Sequence, residues 1–204
     1  MVASAFAYDR AVPTAEDRIL DAAESVFSQQ GYRGGALNDV AVAAGYTRAG
    51  LLHYYPNKAS LLLALLERRD ARLHVFDVGR SGSSLTEFYE QIDLQLGDLL
   101  RLRTLIQLGH IVTAEATTPD HPAYEWVHQR ELRLRSQLES AARVSQERGE
   151  LDPRLDPASV ALLVLGSFEG LETQWLLDED VDLQAGVAVV RSLLLPGDPR
   201  PARA

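Results

Sequence analysis

The sequence has no cysteine, and Lys58 is its single lysine among 20 Lys and Arg residues. Without cysteine the chain cannot form disulfides, thiolate metal sites or a cysteine nucleophile. No run of about 18 apolar residues marks a membrane-spanning helix, and the N-terminus lacks the basic and apolar regions of a secretory signal. We therefore expect a cytoplasmic protein without a membrane span.

The charge balance is acidic, with a formal net charge of −9 and a pI near 5.0. This balance argues against a generic binder of polyanions, which would carry a basic patch or stripe. The 204 residues, 46% of them hydrophobic, suffice for one larger helical unit or for a small domain joined to a bigger one.

The most informative segment is Ala36 to Lys58. Its first part carries apolar residues at positions i, i+3, i+4 and i+7 of a helix: Leu37, Val40, Ala41 and Ala44. Gly45 follows, where a helix often turns into the left-handed conformation. Thr47 can cap a second helix over Arg48 to Tyr54, and Pro56 disfavours its continuation. The segment therefore predicts two short helices joined by a tight turn.

Such a pair is the helix-turn-helix arrangement, whose second helix can enter the major groove of DNA. Short helical hairpins also occur in many all-α proteins that do not bind DNA. The spacing of these residues alone leaves both interpretations open.

The rest of the chain predicts an all-α fold of about nine helices. Thr14 caps the first helix, which Gly31 ends, and a fourth helix runs from Lys58 to about Asp77. The cluster of Gly, Arg and Ser at residues 79–83 indicates a linker. Later helices are predicted from Ser84 onward and over residues 102–116, 123–146, 157–177 and 183–195. We expect a disordered arm (1–12), a three-helix helix-turn-helix domain (13–60), a helical ligand-binding and dimerisation domain (61–195) and a tail (196–204).

Residues 14–66 resemble the N-terminal domain of the TetR family of bacterial transcriptional regulators. The shared features are the motifs ILDAA…F…GY, DVA…AG and TR…L.HY, followed by P.K and a leucine run. The resemblance implies a homodimer that binds a double-stranded DNA operator and whose C-terminal helices bind a small, largely apolar effector. It implies no cofactor.

The resemblance assigns DNA contacts to the second short helix and its flanks, at Thr47, Arg48, Ala49, His53, Tyr54 and Lys58. Leu52 replaces a common Tyr of the family and is a further candidate on the same outer side. Arg48 could pair with guanine through two hydrogen bonds, and Leu52 could contact a thymine methyl group. A solvated Arg and a surface His are the alternative interpretations of Arg48 and His53. The sequence also departs from the family, since Gly35 and Ala36 stand where Thr or Ser usually cap the second helix.

Gly50 is a further departure, because it replaces a common Thr or Ser inside the recognition helix. A glycine within a helix costs about 1 kcal/mol relative to alanine. Gly50 therefore suggests a close approach of the backbone to DNA or to the second helix.

Two further sites are predicted in the C-terminal domain. Aromatic or polar residues within apolar faces are candidates for the effector pocket: Tyr89, Gln107, His110, Trp126 and Phe168. Ordinary core packing is the alternative for each. The nearly all-apolar eighth helix and the ninth helix are the expected dimer surface, through Leu162, Leu165, Gly166, Gly170 and Leu193. Burial within one subunit is the alternative.

Catalysis has little support in the sequence. His110, His121 and His128 lack the spacing of metal ligands, and no nucleophile elbow or glycine-rich phosphate loop occurs. We therefore expect no enzyme and no metal, but a repressor that binds a palindromic operator. The alternative is a helical ligand- or partner-binding protein whose helix-turn-helix no longer reads DNA.

Overall fold

The computed structural model describes residues 13–73 and 82–197. Within these ranges every regular element is an α-helix: α1 (Ala15–Gly34), α2 (Leu37–Ala44), α3 (Arg48–Tyr54), α4 (Lys58–Arg72), α5 (Leu85–Leu100), α6 (Arg103–Glu115), α7 (Tyr124–Glu147), α8 (Pro157–Leu177) and α9 (Leu183–Leu194). The prediction of an all-α fold with about nine helices is confirmed. The predicted arm, the end of the predicted fourth helix, most of the predicted linker and most of the tail lie outside the described residues.

Helix α1 begins with a capping box, in which the Thr14 hydroxyl accepts the Asp17 N–H and the Asp17 carboxylate accepts the Thr14 N–H. The chain leaves the helical conformation at Gly31, where φ is +70°, as the sequence predicts. One further helical turn follows, so α1 ends at Gly34 and not at Gly31, where the sequence predicts its end. A carboxylate from Glu115 accepts the Tyr32 N–H at this break.

A first hydrophobic core lies beneath α1 to α4. Ile19, Phe27 and Leu51 are completely buried in it, and four leucines of α4 join them: Leu61, Leu62, Leu65 and Leu66. The core also takes apolar residues from the end of α6 and the start of α7, for example Val112. The first core thus extends beyond the predicted helix-turn-helix domain, and the predicted boundary after residue 60 stays a prediction.

A second core lies between α5, the start of α6, α7, α8 and α9. Its aromatic centre is formed by Phe88, Tyr89 and Phe168, whose rings contact one another. Gly186 of α9 lets α8 approach closely, since a Cβ there would lie 2.5 Å from the Leu171 side chain. Helices α6 and α7 contribute residues to both cores, and they connect the N-terminal unit to the C-terminal one.

Helix α8 has an unusual composition for its position. Among the described helices it alone is long and apolar enough, at 21 residues, to cross a membrane by length and composition. The core helix of a soluble protein meets the same test, and 39% of the apolar stretch of α8 is buried. Its remaining apolar surface faces outward, away from the two cores.

Candidate nucleic-acid interface

The turn between α2 and α3 has the geometry that its sequence predicts. Gly45 adopts the left-handed conformation, with φ +76° and ψ +28°. The backbone N–H of Tyr46 donates to the Ala41 carbonyl at 2.8 Å, which closes the end of α2. Thr47 then caps α3 by accepting the Gly50 N–H at 3.1 Å. Local hydrogen bonds therefore fix the angle between the two short helices.

Helix α3 buries one face and exposes the other. Leu51 is its fully buried anchor. Thr47, Arg48, Ala49 and His53 are all exposed, and among the described residues Arg48 takes part in no ion pair. The His53 ring lies edge-on to the neighbouring Tyr54 ring at 5.6 Å, and the exposed side chains of this face are accessible to the edges of base pairs.

Aromatic and basic side chains support the exposed face from the side. The Tyr46 ring lies edge-on to the Tyr54 ring, with centroids 6.0 Å apart. Arg18 of α1 donates a hydrogen bond of 2.6 Å to the Tyr46 hydroxyl, and its guanidinium lies 5.5 Å from the centre of that ring. Arg18 and Tyr46 were not among the predicted site residues. Their contact joins positions 28 residues apart, which no local pattern indicates.

Lys58 points toward the end of α1. Its Nζ atom lies 4.5 Å from the centre of the Tyr32 ring and donates to the Arg33 carbonyl oxygen at 3.3 Å. Burial lowers the pKa of Lys58, and the nearby Glu115 carboxylate opposes this shift. Leu52, the remaining predicted contact on this helix, is half-buried.

The departures from the family have distinct structural consequences. No side chain caps α2, because Ala36 occupies the N-cap position. Gly35 is needed for packing, since a Cβ there would lie 2.7 Å from a carbon of the Phe27 ring. At Gly50 a Cβ would meet Thr47 and Tyr46 rather than α2. The atoms nearest to such a Cβ belong to the turn, and the suggested close approach of the Gly50 backbone stays a prediction.

The predicted effector residues do not form one cluster. Tyr89 and Phe168 lie together in the second core, with their rings stacked at 6.3 Å. His110 lies between α6 and α8, where its Nε2 is 2.9 Å from the Glu172 carboxylate. Trp126 packs against the first core instead. Gln107 of α6 is half-buried.

The predicted dimer residues divide between the surface and the core. Leu162 and Leu193 are 54% and 76% exposed, and a Cβ on Gly166 or Gly170 would meet nothing within 4 Å. Leu165 is only 5% exposed and belongs to the second core. The side chain of Leu165 is therefore used within its own subunit.

Three comparisons with known proteins bear on this arrangement. Residues 19–65 match the family described as bacterial regulatory proteins, tetR family. The A-factor receptor protein of Streptomyces griseus is 26% identical over 186 residues, which cover 90% of this chain and 63% of that protein. The regulator RutR of Escherichia coli K12 is 41% identical over 59 residues, which are 29% of this chain and 28% of RutR. The chain thus spans less than two thirds of each of these relatives.

The fold is also shared with solved structures. The structure of SmeT, the repressor of the Stenotrophomonas maltophilia multidrug efflux pump SmeDEF, superposes with a TM-score of 0.68 at 21% identity. The aligned region covers 92% of this chain and 97% of SmeT. The helix-turn-helix is the part of the chain that matches the family of bacterial regulatory proteins. The sequence match covers the N-terminal unit, and the solved structure extends the likeness in fold to the helices behind it.

Proposed function

We propose that this protein is a ligand-responsive repressor that binds a palindromic operator as a homodimer and is released by a small molecule. The observation that carries the proposal is the exposed face of α3, with Arg48 and His53 free to reach base edges. The match to the tetR family covers this same unit. Regulators of this family are transcription factors and not enzymes.

The acidic net charge makes the proposed binding depend on a few contacts. The protein carries a formal charge of −9, so long-range attraction to DNA is weak. Arg48 can supply a bidentate contact to guanine, and the exposed hydroxyl of Thr47 can reach a phosphate. Two copies of the unit, about 34–36 Å apart, would double these contacts on a palindromic site.

The apolar outer surface of α8 and α9 supports the homodimer. Leu163, Leu177 and Val189 are 55%, 84% and 59% exposed, and they lie on the same two helices as Leu162 and Leu193. Exposed leucines in such numbers mark an association surface more often than a solvated one. Burial against a second copy accounts for this surface in a cytoplasmic protein, without a membrane.

The effector belongs to the helical C-terminal domain. Tyr89 and Phe168 provide an aromatic wall, and the hydroxyl of Tyr89 is buried without a hydrogen-bond partner among the described residues. Small-molecule sites usually combine such apolar walls with a few polar groups. The relative from Streptomyces griseus is itself named as the receptor for A-factor. We therefore propose a largely apolar effector with few polar groups.

Selection of DNA sequences from a random pool tests the proposed operator binding. The expected result is a palindromic sequence whose complex is retarded in a gel and weakens as salt increases. Arg48→Ala should weaken binding to that sequence by about 1–3 kcal/mol and relax the preference for one base. Arg101→Ala is the matched control, because Arg101 is exposed at the end of α5 and lies far along the chain from α3. Equal affinities of the Arg48 and Arg101 variants would contradict base reading by Arg48.

A second candidate function is favoured by the missing cap of α2. Ala36 provides no hydroxyl group at the start of α2, so the phosphate contact that a Thr or Ser side chain could make at this position is lost. A protein that binds a ligand or a protein partner, but no longer reads DNA, would show the same feature. A selection that enriches no sequence would favour this second function.

A further inference from the structure

We propose that Glu115, at the C-terminal end of α6, is a positioning residue for DNA binding, because it holds the part of α1 on which Lys58 rests. The inference depends on the proposed operator binding and on a phosphate contact by Lys58. It adds a residue of the C-terminal helices to the groups that determine operator affinity.

The carboxylate of Glu115 is bound to the end of α1 by two backbone groups. The Tyr32 N–H donates to one oxygen at 2.8 Å, and the Arg33 N–H approaches the other at 3.4 Å. Gly31 makes room for the carboxylate, since a Cβ at Gly31 would lie 2.6 Å from Glu115 Oε1. Hydrogen bonds to an ionised acceptor are stronger than those between neutral groups, so this contact fixes the last turn of α1 against α6.

The same two residues of α1 hold Lys58. The Lys58 ammonium lies over the Tyr32 ring, 4.5 Å from its centre, and donates to the Arg33 carbonyl at 3.3 Å. Glu115 therefore binds the N–H groups of the two residues whose ring and carbonyl bind Lys58. Lys58 is the first residue of α4 and follows the recognition helix by four positions. A displacement of Glu115 therefore moves Tyr32 and Arg33, the two residues that hold Lys58 beside the proposed DNA-facing surface.

His121, in the connection between α6 and α7, supports Glu115 from the other side. Its ring meets the Tyr32 ring edge-on at 5.0 Å. Its Nδ1 accepts the Ala123 N–H at 3.2 Å, so the neutral ring carries its proton on Nε2. That buried nitrogen has no hydrogen-bond partner among the described residues and lies 3.9 Å from the Glu115 carboxylate. The proton of Nε2 thus faces the carboxylate and favours its observed position.

The test measures binding to the selected operator at several salt concentrations. Glu115→Ala removes both acceptor oxygens, and we expect about tenfold weaker binding, together with a salt slope lower by about one unit because the Lys58 contact is lost. Glu115→Gln keeps one oxygen that can accept the Tyr32 N–H, and it should retain most of the affinity. Glu125→Ala is the control, since it removes the same charge from an exposed position where the side chain bonds only to exposed Gln129 among the described residues.

A double-mutant cycle with Lys58→Gln separates positioning from a general loss of structure. If Glu115 acts through Lys58, Glu115→Ala has little further effect on affinity in the Lys58→Gln protein. Additive losses, or an unchanged salt slope in Glu115→Ala, would overturn the inference. Thermal unfolding of each variant identifies one that is unfolded at the assay temperature, and the cycle is then measured at a temperature at which all four proteins are folded. A wild-type protein that binds no operator would instead refute the proposed function.

Discussion

Replacing Gly109 with alanine tests the contact that joins α4 to α6. Arg69 of α4 is 7% exposed, and its Nε donates to the Leu105 carbonyl of α6 at 2.8 Å. Its guanidinium also pairs with Asp70 at 3.2 Å. A Cβ on Gly109 would lie only 2.6 Å from Arg69 Cζ. The glycine therefore leaves the space that the buried guanidinium occupies.

The expected loss of stability has two parts. Overpacking a filled interior costs about 1–3 kcal/mol. If Arg69 is displaced, its bond to the Leu105 carbonyl is lost as well, and a hydrogen bond from a charged donor contributes about 1.5–3 kcal/mol. Burial lowers the pKa of Arg69 to about 10, so the side chain stays charged at neutral pH and needs its partners. The two parts sum to about 2.5–6 kcal/mol, and replacing a glycine inside a helix offsets about 1 kcal/mol, so we expect Gly109→Ala to lower the free energy of unfolding by about 1.5–5 kcal/mol.

A double-mutant cycle shows whether Arg69 is the cause. Arg69→Met removes the guanidinium and leaves a flexible side chain that can adjust to a new methyl group. The double variant should be more stable than the sum of the single effects by about 1 kcal/mol or more. Urea unfolding at one fixed protein concentration measures all four proteins, because association contributes to apparent stability.

Gly97→Ala is the matched control for this cycle. Gly97 lies inside α5, and a Cβ there would meet nothing within 4 Å. Alanine at such a position should stabilise the helix by up to about 1 kcal/mol. The reasoning is refuted if Gly109→Ala is as stable as Gly97→Ala, or if the effects at Gly109 and Arg69 simply add.

Two further predictions concern acid stability and assembly. Burial lowers the pKa of His121. Below about pH 6.5 the unfolded chain therefore binds a proton more readily than the folded chain, and the free energy of unfolding decreases as the pH decreases. His121→Asn, whose amide oxygen can accept the Ala123 N–H, should lose less unfolding free energy between about pH 7 and about pH 5; an equal loss contradicts this role. Leu163→Glu should convert the proposed dimer to a monomer, as measured by sedimentation. Leu94→Glu is the control, because Leu94 is 83% exposed on α5, and this variant should stay dimeric. If both variants are dimeric, α8 is excluded from the interface.

The helix-turn-helix could be predicted because local residues determine it. Gly45 supplies the left-handed turn, and Thr47 and Asn57 cap the helices that follow. Pro56 separates α3 from α4. Each of these effects acts over three or four residues, within the reach of a short sequence pattern. The bounds of α2 and α3 therefore agree with the sequence prediction.

The contacts between distant parts of the chain could not be predicted in the same way. Glu115 binds the N–H of a residue 83 positions away, and Arg69 binds a carbonyl 36 positions away. Periodicity identifies the apolar face of a helix, but not the element that covers it. For this reason Leu165 and Leu162 both appear as surface candidates in the sequence, although only Leu162 is exposed.

Polar contacts near both ends of α6 connect it to α4, directly at its start and through α1 at its end. Arg69 binds the Leu105 carbonyl near the start of α6, and Glu115 at its end binds the α1 turn that supports Lys58. A molecule that displaces α6 must therefore strain both contacts, since apolar packing between them is dense and does not stretch. Gly109→Ala perturbs the first contact directly and Glu115→Ala removes the second. If α6 moves as a rigid helix, both Gly109→Ala and Glu115→Ala should change the affinity for the proposed operator, although only Glu115→Ala removes a group that contacts α1 of the N-terminal unit.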